Sequence, residues 1–237
     1  MGAKMRKQLF VVAGLLLVLG LIPSQAANLI VNGSFETPVV TVGGFTNFAS
    51  GSTLITGWTV FGPEVSIVSG TFSQECCTFP AEDGVQWADL TGDASNAFEG
   101  VEQTVATTPG TQYTLSFFVG NVFDPTGFFG TTSSVKVFLG GPTGTLLDTV
   151  KNSSTTPAKL TWQEFFEHFT ATSTSTTIAF ANADPGNDNS NGLDNVSLVA
   201  TGTVGTVPEP TTLSLIGAGL LGFSFIRHRK VRSQRAS

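Results

Sequence analysis

Pro109-Gly110-Thr111-Gln112-Tyr113-Thr114-Leu115-Ser116-Phe117 is the stretch that decides the fold. Its Pro-Gly pair marks a turn, and the residues that follow alternate polar and apolar, the period of a strand with one face in a core and one in water. The same unit, a short alternation bounded by Gly, Pro, Asn or Asp, recurs along residues 27 to 207. Strands are expected at Leu29–Val31, Trp58–Phe61, Val65–Val68, Val85–Leu90, Val101–Val105, Gln112–Val119, Ser134–Leu139, Leu146–Val150, Trp162–Thr170, Thr176–Ala181 and Asp194–Val199. No run of about 12 residues holds the helical period, so very little helix is expected. Eleven short strands in about 180 residues argue for an all-β chain built as a sandwich of two antiparallel sheets. In the segment Trp162–Phe169, Phe165 and Phe169 share one face, assigned to the interior, and Trp162, Glu164, Phe166 and His168 share the other.

The flanks differ in kind. Residues 1–26 open with Lys4, Arg6 and Lys7, continue from Leu9 to Ile22 without a charge, and close on Pro23-Ser24-Gln25-Ala26. An apolar run of 14 residues is short for a membrane span and suits a signal peptide, with small residues at Ser24 and Ala26 for a signal peptidase that cuts after Ala26. At the other end, Val207-Pro208-Glu209-Pro210 leads into Thr211–Ile226, uncharged and carrying Gly217, Gly219 and Gly222, then Arg227, Arg229, Lys230, Arg232 and Arg235. The basic tail belongs on the cytoplasmic side by the positive-inside rule, which leaves the body outside. The reading is therefore a signal peptide at 1–26, a β-sandwich domain at 27–200, a linker at 201–207, and a sorting segment at 208–237 with a transmembrane helix over about 211–226.

The formal charge of −6 averages over these parts. Between the flanks stand 16 acidic residues against Lys136, Lys151 and Lys159, a net of −13. Such a body excludes a nucleic-acid binder that works by phosphate neutralisation. It repels anionic polymers unless divalent cations bridge them, and favours a neutral glycan as partner.

The C-terminal arrangement of Pro208-Glu209-Pro210, a glycine-containing apolar stretch and an arginine cluster resembles the PEP-CTERM sorting signal of Gram-negative bacteria. The resemblance implies cleavage by an exosortase-type protease, with an inner-membrane-anchored precursor released or transferred to the envelope or the extracellular matrix. In the body, Asn32-Gly33-Ser34-Phe35-Glu36, Gly57-Trp58, Asp83-Gly84-Val85-Gln86, Gln103-Thr104-Val105, the stretch quoted first, and Leu193-Asp194-Asn195-Val196-Ser197-Leu198 occur in an order similar to galactose-binding-like jelly rolls, the fold of many carbohydrate-binding modules. That resemblance implies a structural calcium tying the first strand to the last, with Glu36 and Asp194 as its carboxylates and main-chain oxygens around Asn32 or Gly33 beside them. A second loop, Asp184–Gly192, sets Asn187, Asn189, Asn191 and Gly192 at the first, third, fifth and sixth positions of a calcium loop but has Leu198 at the twelfth, where a Glu is needed, and is read as a solvated turn.

Cys76 and Cys77 are adjacent and are the only cysteines. They form a vicinal disulfide, pair between chains, or stay free; they cannot staple distant strands. Sugar binding needs aromatic platforms, and Trp87 with Asp89 is the best candidate for an exposed one, against burial of the same Trp. The phenylalanines of the body are read as core, since Phe has no polar edge with which to orient a ligand. Catalysis finds little support: His168 is the only histidine of the body, and no Gly-x-Ser-x-Gly elbow accompanies it. The expected function is a non-catalytic structural or adhesive role, with a carbohydrate-binding module for exopolysaccharide as the alternative and a polysaccharide-acting enzyme as a distant third.

Overall fold

A computed structural model describes residues 27–93, 96–125, 127–186 and 189–203; the expected signal peptide, the transmembrane helix and the Pro208-Glu209-Pro210 motif lie outside them. The described residues contain thirteen strands and no helix: β1 (Phe45–Ala49), β2 (Thr59–Phe61), β3 (Glu64–Ser69), β4 (Ser73–Gln74), β5 (Cys77–Thr78), β6 (Gln86–Asp89), β7 (Gly100–Ala106), β8 (Thr111–Asn121), β9 (Ser133–Leu139), β10 (Thr145–Asn152), β11 (Thr161–Thr170), β12 (Ser175–Asn182) and β13 (Gly192–Thr203). They form a six-stranded sheet in the order β1-β3-β6-β13-β8-β11, a five-stranded sheet in the order β10-β9-β12-β7-β2, and the small hairpin β4-β5. All strand pairs are antiparallel, so the expected two-sheet sandwich is the observed architecture.

Residues 111–117 open β8, an inner strand of the six-stranded sheet. β8 pairs with β13 on one side and β11 on the other, and its Tyr113, Leu115, Phe117 and Val119 all enter the core. Phe117 meets Phe180 of the opposite sheet edge-to-face at 5.0 Å, and Phe35 stacks on Trp58 at 5.2 Å. Burial of such rings contributes about 1.5–3 kcal/mol each, provided their polar atoms are satisfied. Trp58 meets that condition by donating Nε1–H to the Asn32 carbonyl at 3.0 Å. Phe165 and Phe169 of β11 face inward as expected, stacking on Phe117 and Tyr113.

Five elements correct the sequence reading. Leu29–Val31 is not a strand, although Leu29 N–H does reach the Leu198 carbonyl at 2.8 Å. β13 runs on to Thr203, opposite Thr111, through residues read as linker. The strands β1, β4 and β5 had no expected counterpart, because β1 buries only Phe48 and the other two are two residues long, too short to display a period.

Candidate functional site

The six-stranded sheet carries a second apolar cluster on the face away from the core. In β3, Val65 and Ile67 point into the sandwich and Val68 points out; in β6, Ala88 points in and Trp87 out. Parts of three connections cover this outer face, contributing Cys77 and Phe79 from residues 70–81, Val122 and Phe129 from between β8 and β9, and Leu160. Two indoles fasten the cover. Trp87 Nε1–H donates to the Phe79 carbonyl at 3.2 Å, and Trp162 Nε1–H to the neighbouring Pro80 carbonyl at 2.9 Å. Trp162 lies close over the sheet because Gly120 and Gly192 stand beneath it: a Cβ on either would come within 2.8 Å of the indole.

Where the cover ends, a cleft of about 70 Å³ opens between Phe45, Phe72, Phe79, Trp87, Phe128 and Phe129. An apolar cavity of about 150 Å³ holds a benzene, so the deep part of this one admits a ring edge or a few atoms, and the rest of any ligand lies across the rim. Phe45 and Phe128 form that rim, 40% and 47% exposed. Polar groups accompany them: Gln74, Asp89, Asp93 and Asn189 also line the cleft. Asn189 holds the rim in place by donating Nδ2–H to the Phe128 carbonyl at 3.0 Å.

Asp89 is the charged group at the base of the cleft. Its Oδ1 accepts from Thr91 N–H at 3.1 Å, Thr91 Oγ1–H at 2.8 Å and Asn191 N–H at 3.1 Å. Burial outweighs these bonds, and with the nearby Glu99 charge it pushes the carboxyl up to about 6.

These positions correct two expectations. Trp87 and Asp89 are not an exposed platform: Trp87 is 1% exposed, since residues 70–81 fold over it, and the pair lines the cleft from below. Nor are all the phenylalanines core, because Phe45 and Phe128 stand at its mouth. The available signal was Phe128-Phe129 set among Pro125, Gly127 and Gly130, a turn-rich stretch with no strand period to bury both rings. Asn191 departs from the solvated loop expected around it: it is fully buried, and its Nδ2 donates to the Ser134 carbonyl and to Asn182 Oδ1, bracketing the two sheets.

Glu36 and Asp194 grip one loop from two sides. Glu36 Oε1 accepts the N–H groups of Val85 and Gln86 at 2.7 and 2.9 Å, and Asp194 Oδ2 those of Glu82 and Asp83 at 2.9 and 3.1 Å. Gly84, at φ 70°, sits against the Glu36 carboxylate, where a Cβ would come within 2.3 Å of Oε1. Burial, with the charge of Glu82 beside it, raises the Asp194 carboxyl to about 8 despite these bonds. Main-chain N–H groups therefore already occupy Glu36 Oε1 and both Asp194 oxygens, the second through Asn195 N–H to Oδ1 at 2.7 Å. Among the described residues no three His, Cys, Asp or Glu side chains converge as a metal group, so calcium here would draw its other ligands from carbonyls and water. Cys76 and Cys77 are joined by a disulfide bond at the tip of the β4-β5 hairpin.

Residues 26–199, which take in all but the end of β13 and include both the cleft and the Glu36–Asp194 clamp, match the family profile described as HpiC1 cyclase. The chain belongs to the HpiC1-like family. Residues 206–230 of this HpiC1-like chain match the PEP-CTERM protein-sorting motif, which marks an exported protein processed by an exosortase. A comparison with curated proteins finds no match. Among solved structures, the carbohydrate-binding module TmCBM61 in complex with beta-1,4-galactotriose is 15% identical, covering 74% of this chain and 100% of its own, at a TM-score of 0.42. A family 16 carbohydrate-binding module is 23% identical, covering 73% and 99%, at 0.44. The CBM22-1 xylan-binding domain of Paenibacillus barcinonensis Xyn10C is 16% identical, covering 70% and 99%, at 0.38. At such scores these neighbours carry no ligand over to the HpiC1-like chain.

Proposed function

We propose that this exported, exosortase-processed protein is a non-catalytic component of the cell envelope or extracellular matrix of a Gram-negative bacterium, and that it holds neutral exopolysaccharide against the outer-face cleft. The cleft is the observation that carries this reading. Sugars present C–H faces to aromatic rings and hydroxyls to carboxylates and amides, and the rim sets Phe45 and Phe128 beside Gln74, Asp93 and Asn189. The acidic body, at −13, argues for a neutral polymer over an anionic one. Signal peptidase and the exosortase are its processing partners, and the C-terminal apolar segment anchors the precursor in the inner membrane. Calcium at Glu36 and Asp194 has a structural part, fastening the first segment and the last strand to the 82–86 loop.

The test is retention on a panel of immobilised neutral polysaccharides. The parent protein is retained on at least one, and Phe45→Ala and Phe128→Ala, both at exposed positions, weaken retention with an unchanged melting temperature. Equal retention of parent and both variants sinks the reading.

A second reading is favoured by one observation. The family description names a cyclase, and an aromatic cleft with a carboxyl raised to about 6 at its base is suited to pass a proton to a bound apolar substrate near neutral pH. In that case Asp89→Asn removes turnover across a panel of small apolar cyclisation substrates while leaving binding intact.

A further inference from the structure

The wall of the cleft next to residues 70–81 rests on an unusually small element. The hairpin β4-β5 has two residues on each side, Ser73 opposite Thr78 and Gln74 opposite Cys77, with Glu75 at φ 52° and Cys76 making the turn. Two-stranded hairpins, even long ones, are marginal in water. This one is held by Thr78 N–H to the Ala158 carbonyl at 3.2 Å, Leu160 N–H to the Thr78 carbonyl at 2.9 Å, Phe79 N–H to the Phe72 carbonyl at 3.1 Å, and the Cys76–Cys77 bond at its tip. A bond between adjacent residues closes no long loop, so it adds little to global stability through chain entropy and acts on its own neighbourhood. That neighbourhood is the cleft: Phe72, Gln74 and Phe79 all line it.

We propose that the Cys76–Cys77 disulfide is a redox latch on the cleft wall, opened by a dithiol reductant. The two sulfurs stand in unlike surroundings, Cys76 exposed and Cys77 buried with Phe79, Trp87 and Phe129. A thiolate of the dithiol attacks Cys76 Sγ, the Cys76–Cys77 bond breaks, and Cys77 leaves as a thiolate that takes up a proton. The second thiol of the reductant then attacks the mixed disulfide, closing the reductant's own disulfide and releasing Cys76 as a thiol. Two electrons and two protons pass to the protein. A thiolate is costly to form among aromatic rings, so the displacement runs through a lifted hairpin, and reduction and opening of the wall go together. Opening displaces Phe72 and Gln74 from the cleft while the sandwich, to which the bond contributes no contact between sheets, stays closed. The latch concerns the same cleft and holds for any occupant.

Hydrogen–deuterium exchange of the full-length chain, oxidised and after treatment with dithiothreitol, tests this without a ligand. Reduction should speed exchange at Thr78, Phe79 and Leu160 by about tenfold or more, with β8 and β13 unchanged. The Cys76→Ser, Cys77→Ser double variant should exchange at the fast rate with or without reductant. Unchanged rates at those three amides on reduction, or an equal acceleration of β8 and β13, overturns the latch. Polysaccharide retention by the oxidised protein is read separately, and its failure touches only the proposed function.

Discussion

Asp89 concentrates the electrostatics of the cleft in one carboxyl. Its value rises from 3.8 to about 6 because burial penalises the charged form more than its three hydrogen bonds favour it. The native state therefore binds this proton more tightly than the unfolded chain does. The stability tied to the neutral carboxyl is complete below about 3.8 and is lost as pH rises through about 6, a total of about 3 kcal/mol. Urea titrations across that window should show the parent losing stability relative to Asp89→Asn; parallel curves would contradict the assignment. Gly192 makes a second prediction. A methyl there meets Trp162 at 2.8 Å, so Gly192→Ala should cost about 1–3 kcal/mol by overpacking and shift the tryptophan emission, both read in one thermal melt. At this scale the sequence was only partly legible. The buried row Tyr113, Leu115, Phe117 announces itself by period, but nothing local to Phe128 says that its ring stands at the mouth of a cleft.

At the scale of elements, legibility follows length. β8 and β11 span 11 and 10 residues, enough for alternation to reveal both the strand and its inward face. The two-residue strands β4 and β5 are fastened through Thr78, whose N–H and carbonyl bond to Ala158 and Leu160, partners that no short window of sequence contains. The 82–86 loop is likewise an assembly product, gripped by Glu36 from one end of the chain and Asp194 from the other. The motifs that carry both carboxylates are visible in sequence, whereas their shared target is not. If calcium joins this clamp, excess calcium should raise the melting temperature of the parent and a chelator should lower it, by mass action on the native state. Glu36→Gln should abolish the difference, and a parent melt indifferent to calcium would remove the ion from the clamp.

For the whole molecule, the order of parts sets its route. A sandwich whose last strand ends at Thr203, followed by a sorting motif at 206–230, makes export and processing part of the chain's design. Glu209→Ala, within that motif, should leave the precursor unprocessed in the membrane fraction, detected as a larger species by immunoblot; normal processing would show that Glu209 is not read. The all-β class, the two-sheet sandwich, the inward face of β11 and the sorting motif were determined by sequence alone, because each rests on local period or on contiguous residues. The cleft was decided only by tertiary structure. Period two states which residues share a face of a sheet, but both faces of β6 are buried, and Trp87 is hidden because Phe79, Phe129 and Trp162, far apart in the chain, close over it.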